Sequence, residues 1–281
     1  MLNMKRSTVI RSVIIYLIVS LCCNALAIEP IKKNIRNKIV LVTGASGEIG
    51  RDIVKKLYDA GYSIVAQYNR SKEHIEQFSK KSPDKCILIR SNFSNPQSVL
   101  ELWKKSLSWK GRIDCLINCA GKLDFVDINS SDERWYQTWK GTLQVNLIAP
   151  SLLCKKACQH FLREGQGIII NISSRTADNG YPLNGMHYAA SKAGLKVLSK
   201  SIAVTYGANN ILSYTISPGC VDTKMVRTID PKTLTELRNE IPTKQFVDPI
   251  EIADLVEFIC SGKIKNATGA SFDINGASYL R

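Results

Sequence analysis

The sequence predicts one α/β domain, a doubly wound parallel sheet of about seven strands with helices on both faces. Three observations predict it. From Lys38 onward, short apolar runs alternate with stretches of helical periodicity. The apolar runs are continuous rather than alternating with polar residues, as in strands that are covered on both faces. The chain has 281 residues, 44% hydrophobic and 22% charged, which suits a folded domain of this size.

The predicted strands are four to seven residues long and rich in Ile, Val and Leu. They are Ile39–Thr43, Ser63–Tyr68, Cys86–Arg90, Cys115–Asn118, Gly167–Ser173, Ile211–Ser217 and Ala270–Ile274. Amphipathic stretches between them predict about six helices, with one apolar stripe from Ile49 to Leu57 and another from Leu195 to Ile202. Right-handed crossovers bring the carboxyl ends of parallel strands to one edge, so ligands are expected there.

Residues 1–28 predict a targeting segment rather than part of the fold. Met1–Arg11 is basic, Ser12–Cys23 is almost entirely apolar, and Ala25–Ala27 supplies the small residues that a signal peptidase recognises. This order favours a cleaved signal peptide. The alternative is an uncleaved membrane anchor, because Ser12–Ile28 is at the short end of what spans a bilayer.

The positive charge is unevenly distributed. The net charge is +14, and residues 1–38 contribute +6 of it, so the remaining chain carries +8. Residues 29–37 are therefore interpreted as a basic linker before a single folded domain at 38–281. An excess of this size attracts anionic partners in general. Nucleic acid is not expected among them, since no basic-aromatic ribbon or recognition helix accompanies the charge.

The cysteines indicate a reducing compartment. Seven of the nine lie after residue 27, an odd number without a CxxC pair, and several fall within apolar strands. Cys154 and Cys158 share a helix face but lack His or acidic neighbours, so no metal site is expected. Free thiols are typical of a reducing compartment, whereas the N-terminal segment indicates secretion. Two locations satisfy both observations: a plastid-like organelle reached through the secretory route, or a membrane tether with the domain on the cytosolic side.

A glycine-rich turn follows the first strand and opens a helix, which predicts that backbone N–H groups approach a pyrophosphate there. Its residues, TGASGEIG, resemble the TGxxxGxG loop of the classical short-chain dehydrogenases/reductases. Glu48 stands where that family has its middle glycine. We expect its carboxylate to face solvent, because it would repel the pyrophosphate. The cofactor-binding residues that the resemblance implies in this turn are Thr43, Gly44, Ser46, Gly47, Ile49 and Gly50.

The end of the second strand favours NADPH over NADH. NAD-binding sheets place an acid there for the ribose hydroxyls, whereas Ala66–Ser71 contains none and offers Arg70. A guanidinium suits a 2′-phosphate. Asn92, after the third strand, stands where the family has an Asp near the adenine.

Two further motifs resemble the family's cofactor-binding loops. NCAG after the fourth strand is similar to NNAG, with Cys119 replacing the second Asn, and the loop after the sixth strand resembles PGxxxT, which meets the nicotinamide. The cofactor-binding residues implied here are Asn118, Ala120, Gly121, Pro218, Gly219, Val221 and Thr223, together with Tyr188 and Lys192.

Tyr188 and Lys192 stand four residues apart on one predicted helix face. Hydride reduction of a ketone needs a proton donor for the developing alkoxide, and an ordinary Tyr releases its proton reluctantly. A nearby cation stabilises the phenolate, so Lys192 is expected to lower the pKa of Tyr188.

The remaining catalytic residues come from the same resemblance. Ser174, the second serine after the fifth strand, corresponds to the family's carbonyl-binding serine, and it is favoured over Ser173. The spacing from Ser174 to Tyr188 is one residue longer than is usual in the family. Asn146 resembles the Asn that kinks its helix and holds a water leading to Lys192. The motifs occur in the family's order over Lys38–Ala277.

The resemblance implies a Rossmann-type, NADPH-dependent carbonyl reductase or alcohol dehydrogenase, most like the 3-oxoacyl-acyl-carrier-protein reductases. The alternative is an NADPH-binding sensor or scaffold without turnover.

The loop Asp222–Asp248 indicates a helical lid over an apolar pocket, or equally an ordinary surface helix pair. Lys155, Lys156 and Arg163 suit an acidic carrier protein. The family also implies a homotetramer or homodimer through the helices around Asn146 and Ala157.

Overall fold

The computed structural model describes residues 38–181, 183–227 and 230–280. The predicted targeting segment 1–28 and linker 29–37 therefore lie outside the described residues. The chain divides into residues 1–36 and residues 37–281, and the described fold is that of the second unit. None of the described helices combines the length and apolar character that a bilayer-spanning segment needs.

Seven parallel strands form one sheet in the order 3-2-1-4-5-6-7, which confirms the predicted fold class. The strands are β1 Ile39–Val42, β2 Ser63–Tyr68, β3 Cys86–Arg90, β4 Cys115–Asn118, β5 Gly167–Ile172, β6 Ile211–Pro218 and β7 Ser271–Ile274. Each begins and ends within one residue of its prediction. The agreement follows from the continuous apolar runs, because β1, β4, β5 and β6 are buried along their whole length.

Helices cover both faces of this sheet. They are α1 Glu48–Asp59, α2 Glu73–Lys81, α3 Pro96–Lys110, α4 Asp132–Leu143, α5 Ala149–Glu164, α6 Thr176–Asn179, α7 Met186–Tyr206, α8 Lys224–Arg227, α9 Pro231–Glu240 and α10 Pro249–Cys260. A π-helical turn, Gln144–Ile148, joins α4 to α5. Several helices begin with a side-chain cap: Asn95 accepts from the N–H of Gln97, for example, and Asp248 forms a capping box with Glu251.

The strand order reverses direction between β1 and β4, which places a crevice at the carboxyl ends of these two strands. One hydrophobic core lies between the sheet and helices α3 and α5 and includes Leu116, Trp103 and Phe161. In doubly wound sheets, ligands bind in the crevice at this reversal point. The glycine turn after β1 and the NCAG loop after β4 both lie there.

A buried histidine on α5 makes the stability of this core depend on pH. His160 is 3% exposed, and its Nε2 accepts a hydrogen bond from the N–H of Ile113 at 3.2 Å. Burial lowers the pKa of His160 below its ordinary value of 6.5. As the pH falls below 6.5, the unfolded chain therefore takes up a proton before the folded chain does, so the free energy of unfolding decreases.

We expect His160→Gln to remove part of this loss, because glutamine offers a neutral acceptor to Ile113 and does not titrate. Urea denaturation at pH 7.5 and pH 5.5 measures it. The exposed His74→Gln is the matched control and should leave the pH dependence unchanged. An identical decline in wild type and His160→Gln would refute this origin of the acid sensitivity.

Candidate active site

The glycine turn packs tightly against the NCAG loop. Gly44 has φ +64°, and a Cβ there would lie 2.7 Å from Cα of Ala120. A Cβ on Gly50 would lie 2.1 Å from the carbonyl oxygen of Gly44. Only glycine fits at either position. The turn leads directly into α1, whose first N–H groups therefore point into the crevice, where they can bind an anion. Ser46 and Ile49 are half-buried and Gly47 is exposed.

Thr43 connects this turn to β4 through its hydroxyl. The buried Oγ1 accepts hydrogen bonds from the N–H groups of Cys119 at 3.0 Å and Ala120 at 3.1 Å. Its side chain thus fixes the distance between the two loops that surround the crevice.

Gln67, at the end of β2, is a site residue that the sequence did not single out. Its Oε1 accepts a hydrogen bond from the N–H of Gly44 at 2.7 Å, and its Nε2 donates to the carbonyl of Ser91 at 2.8 Å. The side chain is 3% exposed. The available signal was an amide at the end of the apolar run of β2, because a polar group at the end of a covered strand needs a hydrogen-bond partner.

The two residues expected near the adenosine half lie at the surface. Arg70 is exposed in the turn after β2, with no hydrogen-bond or ion-pair partner among the described residues. Asn92 is also exposed, and its Oδ1 accepts from the N–H of Ser94 at 3.0 Å, which builds the turn after β3. Arg70 is thus available to a ligand, whereas Asn92 has a local structural contact.

In the NCAG loop, Asn118 is directed into the protein. It is buried, and its Nδ2 donates to Oδ1 of Asn171 at 2.8 Å. Ala120 and Gly121 lie next along the loop, facing the crevice side of the glycine turn. Burial raises the pKa of the Cys119 thiol to about 12, and the charge of Lys192 opposes this only in part. Cys119 is therefore a protonated thiol at neutral pH.

Ser174, Tyr188 and Lys192 are brought together, as the sequence predicted. The Ser174 hydroxyl lies beside the Tyr188 phenol, close enough to lower its pKa. Nζ of Lys192 lies 5.6 Å from the centre of the Tyr188 ring and donates to the carbonyl of Ile172 at 2.8 Å. Oγ of Ser174 also accepts from the N–H and the hydroxyl of Thr176, at 3.2 and 3.0 Å.

Ser173 has a different role from its neighbour. Its hydroxyl is buried and donates to the carbonyl of Lys192 at 2.9 Å, which fastens β5 to α7. The preference for Ser174 as the carbonyl-binding serine agrees with this arrangement.

The electrostatics of the pair differ from the prediction. Burial raises the pKa of Tyr188 to about 12, although the neighbouring Ser174 hydroxyl lowers it in part. Burial also lowers the pKa of Lys192 to about 8. The sequence predicted that Lys192 would lower the pKa of Tyr188. In the protein by itself, the cost of burying the phenolate exceeds any stabilisation from the ammonium.

Asn146 lies in the π-helical turn between α4 and α5, so the predicted distortion of its helix is present. Its Oδ1 accepts from the N–H of Lys122 at 2.8 Å, and its Nδ2 donates to the carbonyl of Lys122 at 2.9 Å and to Oγ of Ser191 at 3.0 Å. A Cβ on Gly121 would lie 3.5 Å from Nζ of Lys192 and 3.9 Å from Oδ1 of Asn146. The amide and the ammonium therefore face the same small space.

The loop after β6 closes the other side of the crevice. The N–H of Gly219 donates to the carbonyl of Ile274 at 2.8 Å, directly after Pro218. A Cβ on Gly219 would lie 2.9 Å from Cα of Asn275. Farther along, Val221 pairs with Val247 in an isolated parallel bridge. These contacts fix the loop beside β7.

The segment predicted as a lid or a surface helix pair contains α8 and α9. The carbonyl of Thr223 accepts the first hydrogen bond of α8, which the N–H of Arg227 donates at 3.0 Å. The helix pair is present, and its closure over a pocket stays a prediction, since part of the loop lies outside the described residues.

Glu48 does not simply face solvent, which corrects the expectation. Its side chain is 26% exposed. Oε2 accepts a hydrogen bond from the N–H of Lys224, and Oε1 lies 3.9 Å from Nη1 of Arg227. The carboxylate thus binds a distant loop instead of water, because that loop supplies a donor and a cation.

The cysteines carry no disulfide among the described residues, where all seven are free. No group of three or more His, Cys, Asp or Glu side chains in that part of the chain could hold a metal ion.

Comparison with known proteins agrees with this geometry. The family model described as "short chain dehydrogenase" matches residues 38–234. The 3-oxoacyl-[acyl-carrier-protein] reductase of Staphylococcus epidermidis is 30% identical over 247 residues, which cover 87% of this chain and all of the relative. The Staphylococcus aureus protein of the same name is 31% identical over 86% of this chain and 98% of its own. Nodulation protein G of a Rhizobium species is 31% identical over 84% of this chain and 94% of its own.

Proposed function

Because the chain belongs to the short-chain dehydrogenase family and is an oxidoreductase of that type, we propose that it is an NADPH-dependent carbonyl reductase, equally able to run as an alcohol dehydrogenase. The observation that carries the proposal is the grouping of three side chains. Nζ of Lys192 lies 5.6 Å from the centre of the Tyr188 ring, and the Ser174 hydroxyl is close enough to the phenol to lower its pKa. This arrangement lies at the edge of the sheet that also holds the glycine turn.

The residues around the crevice fit a dinucleotide. The turn at Gly44 and Gly50 leaves no room for a Cβ, and α1 begins with free N–H groups where a pyrophosphate would lie. When bound, the nicotinamide dinucleotide supplies or accepts the hydride. Every other step is performed by side chains of this chain.

Tyr188 and Ser174 bind the carbonyl oxygen of the substrate through their hydroxyls. As negative charge develops on that oxygen, Tyr188 donates its proton. The charge of Lys192 assists this step, since an ammonium group near the phenol stabilises the phenolate that forms. Asn146 and Lys192 face one space, through which a proton can return to the site.

NADPH rather than NADH is proposed as the coenzyme. No carboxylate stands at the end of β2, where the Gln67 amide is engaged with Gly44 and Ser91. Arg70 is exposed just beyond it. A guanidinium in this position favours a 2′-phosphate by charge and by paired hydrogen bonds.

We expect Arg70→Ser to raise the KM for NADPH about tenfold, the loss typical of one charge-assisted hydrogen bond, and to change the KM for NADH little. Steady-state kinetics with both coenzymes measure this. Lys72→Ser is the matched control, because this neighbouring cation is paired with Glu76 at 2.8 Å. A parallel change of both KM values in Arg70→Ser would contradict the assignment.

The proposed substrate class is a 3-oxoacyl group on an acidic acyl-carrier protein. Two relatives named 3-oxoacyl-[acyl-carrier-protein] reductase support it, at about 30% identity. Exposed Lys155 and Arg163 on α5, with half-buried Lys156 between them, offer positive charge to an acidic carrier.

The test is a panel of carbonyl compounds followed by the absorbance of NADPH, run in parallel with NADH. An acetoacetyl thioester should oxidise NADPH, and its carrier-protein form should have the lower KM. Binding of NADPH without oxidation by any member of the panel would favour the alternative, a sensor or scaffold. The departures at Glu48 and Cys119 are what that alternative rests on.

A homotetramer or homodimer is proposed as the assembly, through α4, α5 and α7. Ala157 itself is buried within the core, but α5 exposes Leu162, α7 exposes Val197 and Val204, and the π-helical turn between α4 and α5 exposes Ile148. Apolar side chains exposed together on neighbouring helices are typical of subunit interfaces. Gel filtration with light scattering tests it, and a monomer at micromolar concentration would reject it.

The proposed location combines the N-terminal secretory signal or membrane anchor with a reducing compartment, either a plastid-like organelle or the cytosolic face of a membrane. The free thiols of the described chain support the reducing compartment. Mass spectrometry of the mature N-terminus distinguishes a cleaved signal from an anchor.

A further inference from the structure

Glu48 joins two parts of the protein that are far apart in the sequence. It is the first residue of α1, in the glycine turn, at the position where the family has glycine. Its carboxylate accepts a hydrogen bond from the backbone N–H of Lys224, 176 positions along the chain. It also lies 3.9 Å from the guanidinium of Arg227.

The partner of Glu48 is the segment Asp222–Arg227, which follows the Pro-Gly turn after β6. Among the described residues, this segment also bonds to Val247 and contains an internal ion pair. The N–H of Asp222 donates to the carbonyl of Val247 at 2.9 Å, and Nε of Arg227 donates to Oδ1 of Asp222 at 2.9 Å. Glu48 therefore connects this segment to the dinucleotide side of the crevice.

We propose that Glu48 is a positioning residue, which holds the segment Asp222–Arg227 against the glycine turn and thereby sets the affinity for the carbonyl substrate. The inference rests on the proposed reductase function. The segment begins the loop Asp222–Asp248, which the sequence predicts over the substrate pocket, so holding it in place should favour binding of the carbonyl substrate.

The charges give this role a distinctive signature. The first N–H groups of α1 attract the phosphates of a dinucleotide, whereas the Glu48 carboxylate repels them, and Arg227 offsets that repulsion only from 3.9 Å. Replacing Glu48 by glycine removes both the repulsion and the connection to the segment. Affinity for NADPH should therefore be kept or improved while affinity for the carbonyl substrate falls.

The experiment compares wild type, Glu48→Gly and Glu48→Gln in the full chain. Lys224 and Arg227 are exposed trypsin sites within the segment, so the rate of cleavage after them reports how often the segment opens. Glu48→Gly should be cleaved there about three to ten times faster, the range expected from one net hydrogen bond. Glu48→Gln keeps an acceptor for Lys224 but loses the charge, and should be cleaved at an intermediate rate.

Two further measurements accompany the proteolysis. Fluorescence titration should give Glu48→Gly an NADPH Kd no higher than that of wild type. Its KM for the carbonyl substrate should rise by the same factor as the cleavage rate, with kcat kept within about twofold, as expected when only binding is lost. Glu73→Gln is the matched control, because Glu73 is likewise the first residue of a helix, α2, and should behave as wild type.

Wild-type cleavage rates in both Glu48 variants would overturn the proposal. So would a weaker NADPH affinity with unchanged cleavage, since Glu48 would then act on the dinucleotide alone. Circular dichroism of Glu48→Gln, the conservative variant, guards against a folding defect. If no carbonyl compound oxidises NADPH, the proposed function fails, whereas the cleavage rates still decide whether Glu48 holds the segment.

Discussion

Tyr188→Phe is expected to reduce carbonyl turnover by about one hundredfold to ten thousandfold, the range typical of removing a general acid. The phenol is the proton donor of the proposed reaction, since Tyr188 is the tyrosine of α7 that lies beside both Ser174 and Lys192. Binding of NADPH should persist, because the glycine turn and its contacts to Thr43 and Gln67 do not involve Tyr188. Stopped-flow reduction and fluorescence titration measure the two properties separately.

Tyr181→Phe is the matched control for that variant. The Tyr181 ring lies 6.1 Å from the Tyr188 ring, so its loss removes a hydroxyl from the same surroundings without removing the proposed acid. Its turnover should stay within about threefold of wild type, as for a group that does not act in the transition state. Substantial turnover by Tyr188→Phe would refute the assignment of the acid.

Lys192→Met is expected to abolish most activity and yet to stabilise the fold. Lys192 is 3% exposed, with the carbonyl of Ile172 as its hydrogen-bond partner. Its pKa is lowered to about 8 from 10.5, a difference worth on the order of 3 kcal/mol. The lost bond to Ile172 costs about 1 kcal/mol. The free energy of unfolding at pH 7 should therefore rise by about 2 kcal/mol.

The cost of burying the Lys192 charge also makes the free energy of unfolding depend on pH. Between pH 8 and pH 10.5 the unfolded wild-type chain holds a proton on Lys192 that the folded chain has released. The free energy of unfolding of wild type therefore rises with pH in this window, and below pH 8 the full cost of the buried charge is present. In Lys192→Met this rise should be smaller. Guanidinium denaturation at pH 7 and pH 10 measures it.

Lys196→Met is the matched control and should have the opposite effect on stability. Lys196 is also buried on α7, one turn farther along, but it forms an ion pair with Asp178 of α6. Its removal leaves a carboxylate unpaired, which costs about 3 kcal/mol. If Lys192→Met destabilised the protein as Lys196→Met does, the account of Lys192 as an uncompensated buried charge would be wrong.

The strands could be predicted from the sequence because each is a continuous apolar run, and such runs have a direct cause in burial on both faces. The group Ser174, Tyr188 and Lys192 was also predictable, since a serine pair follows β5 and Tyr188, after that pair in the chain, stands one helical turn before a lysine. Both predictions needed only local pattern and order along the chain.

Other properties of the site depend on contacts that no local pattern contains. Glu48 was expected to face solvent because its carboxylate would repel a pyrophosphate, and nothing near it in the sequence indicates that Lys224 is its partner. In the sequence, the segment that contains Gln67 was informative only because it has no acidic residue, whereas in the structure Gln67 accepts a hydrogen bond from Gly44. The pKa of Tyr188 was predicted from its charged neighbour, but burial, which a sequence does not give, decides its direction.

The fastening of Gly44 by Gln67, and of the NCAG loop by Thr43, means that the phosphate cradle is assembled before any ligand arrives. Association then requires little ordering of the main chain, so its entropic penalty is small and a rigid-body encounter suffices. Gln67→Ala should increase this entropic penalty, since the glycine turn would become ordered only when the coenzyme binds. Calorimetry should then record a less favourable entropy of coenzyme association.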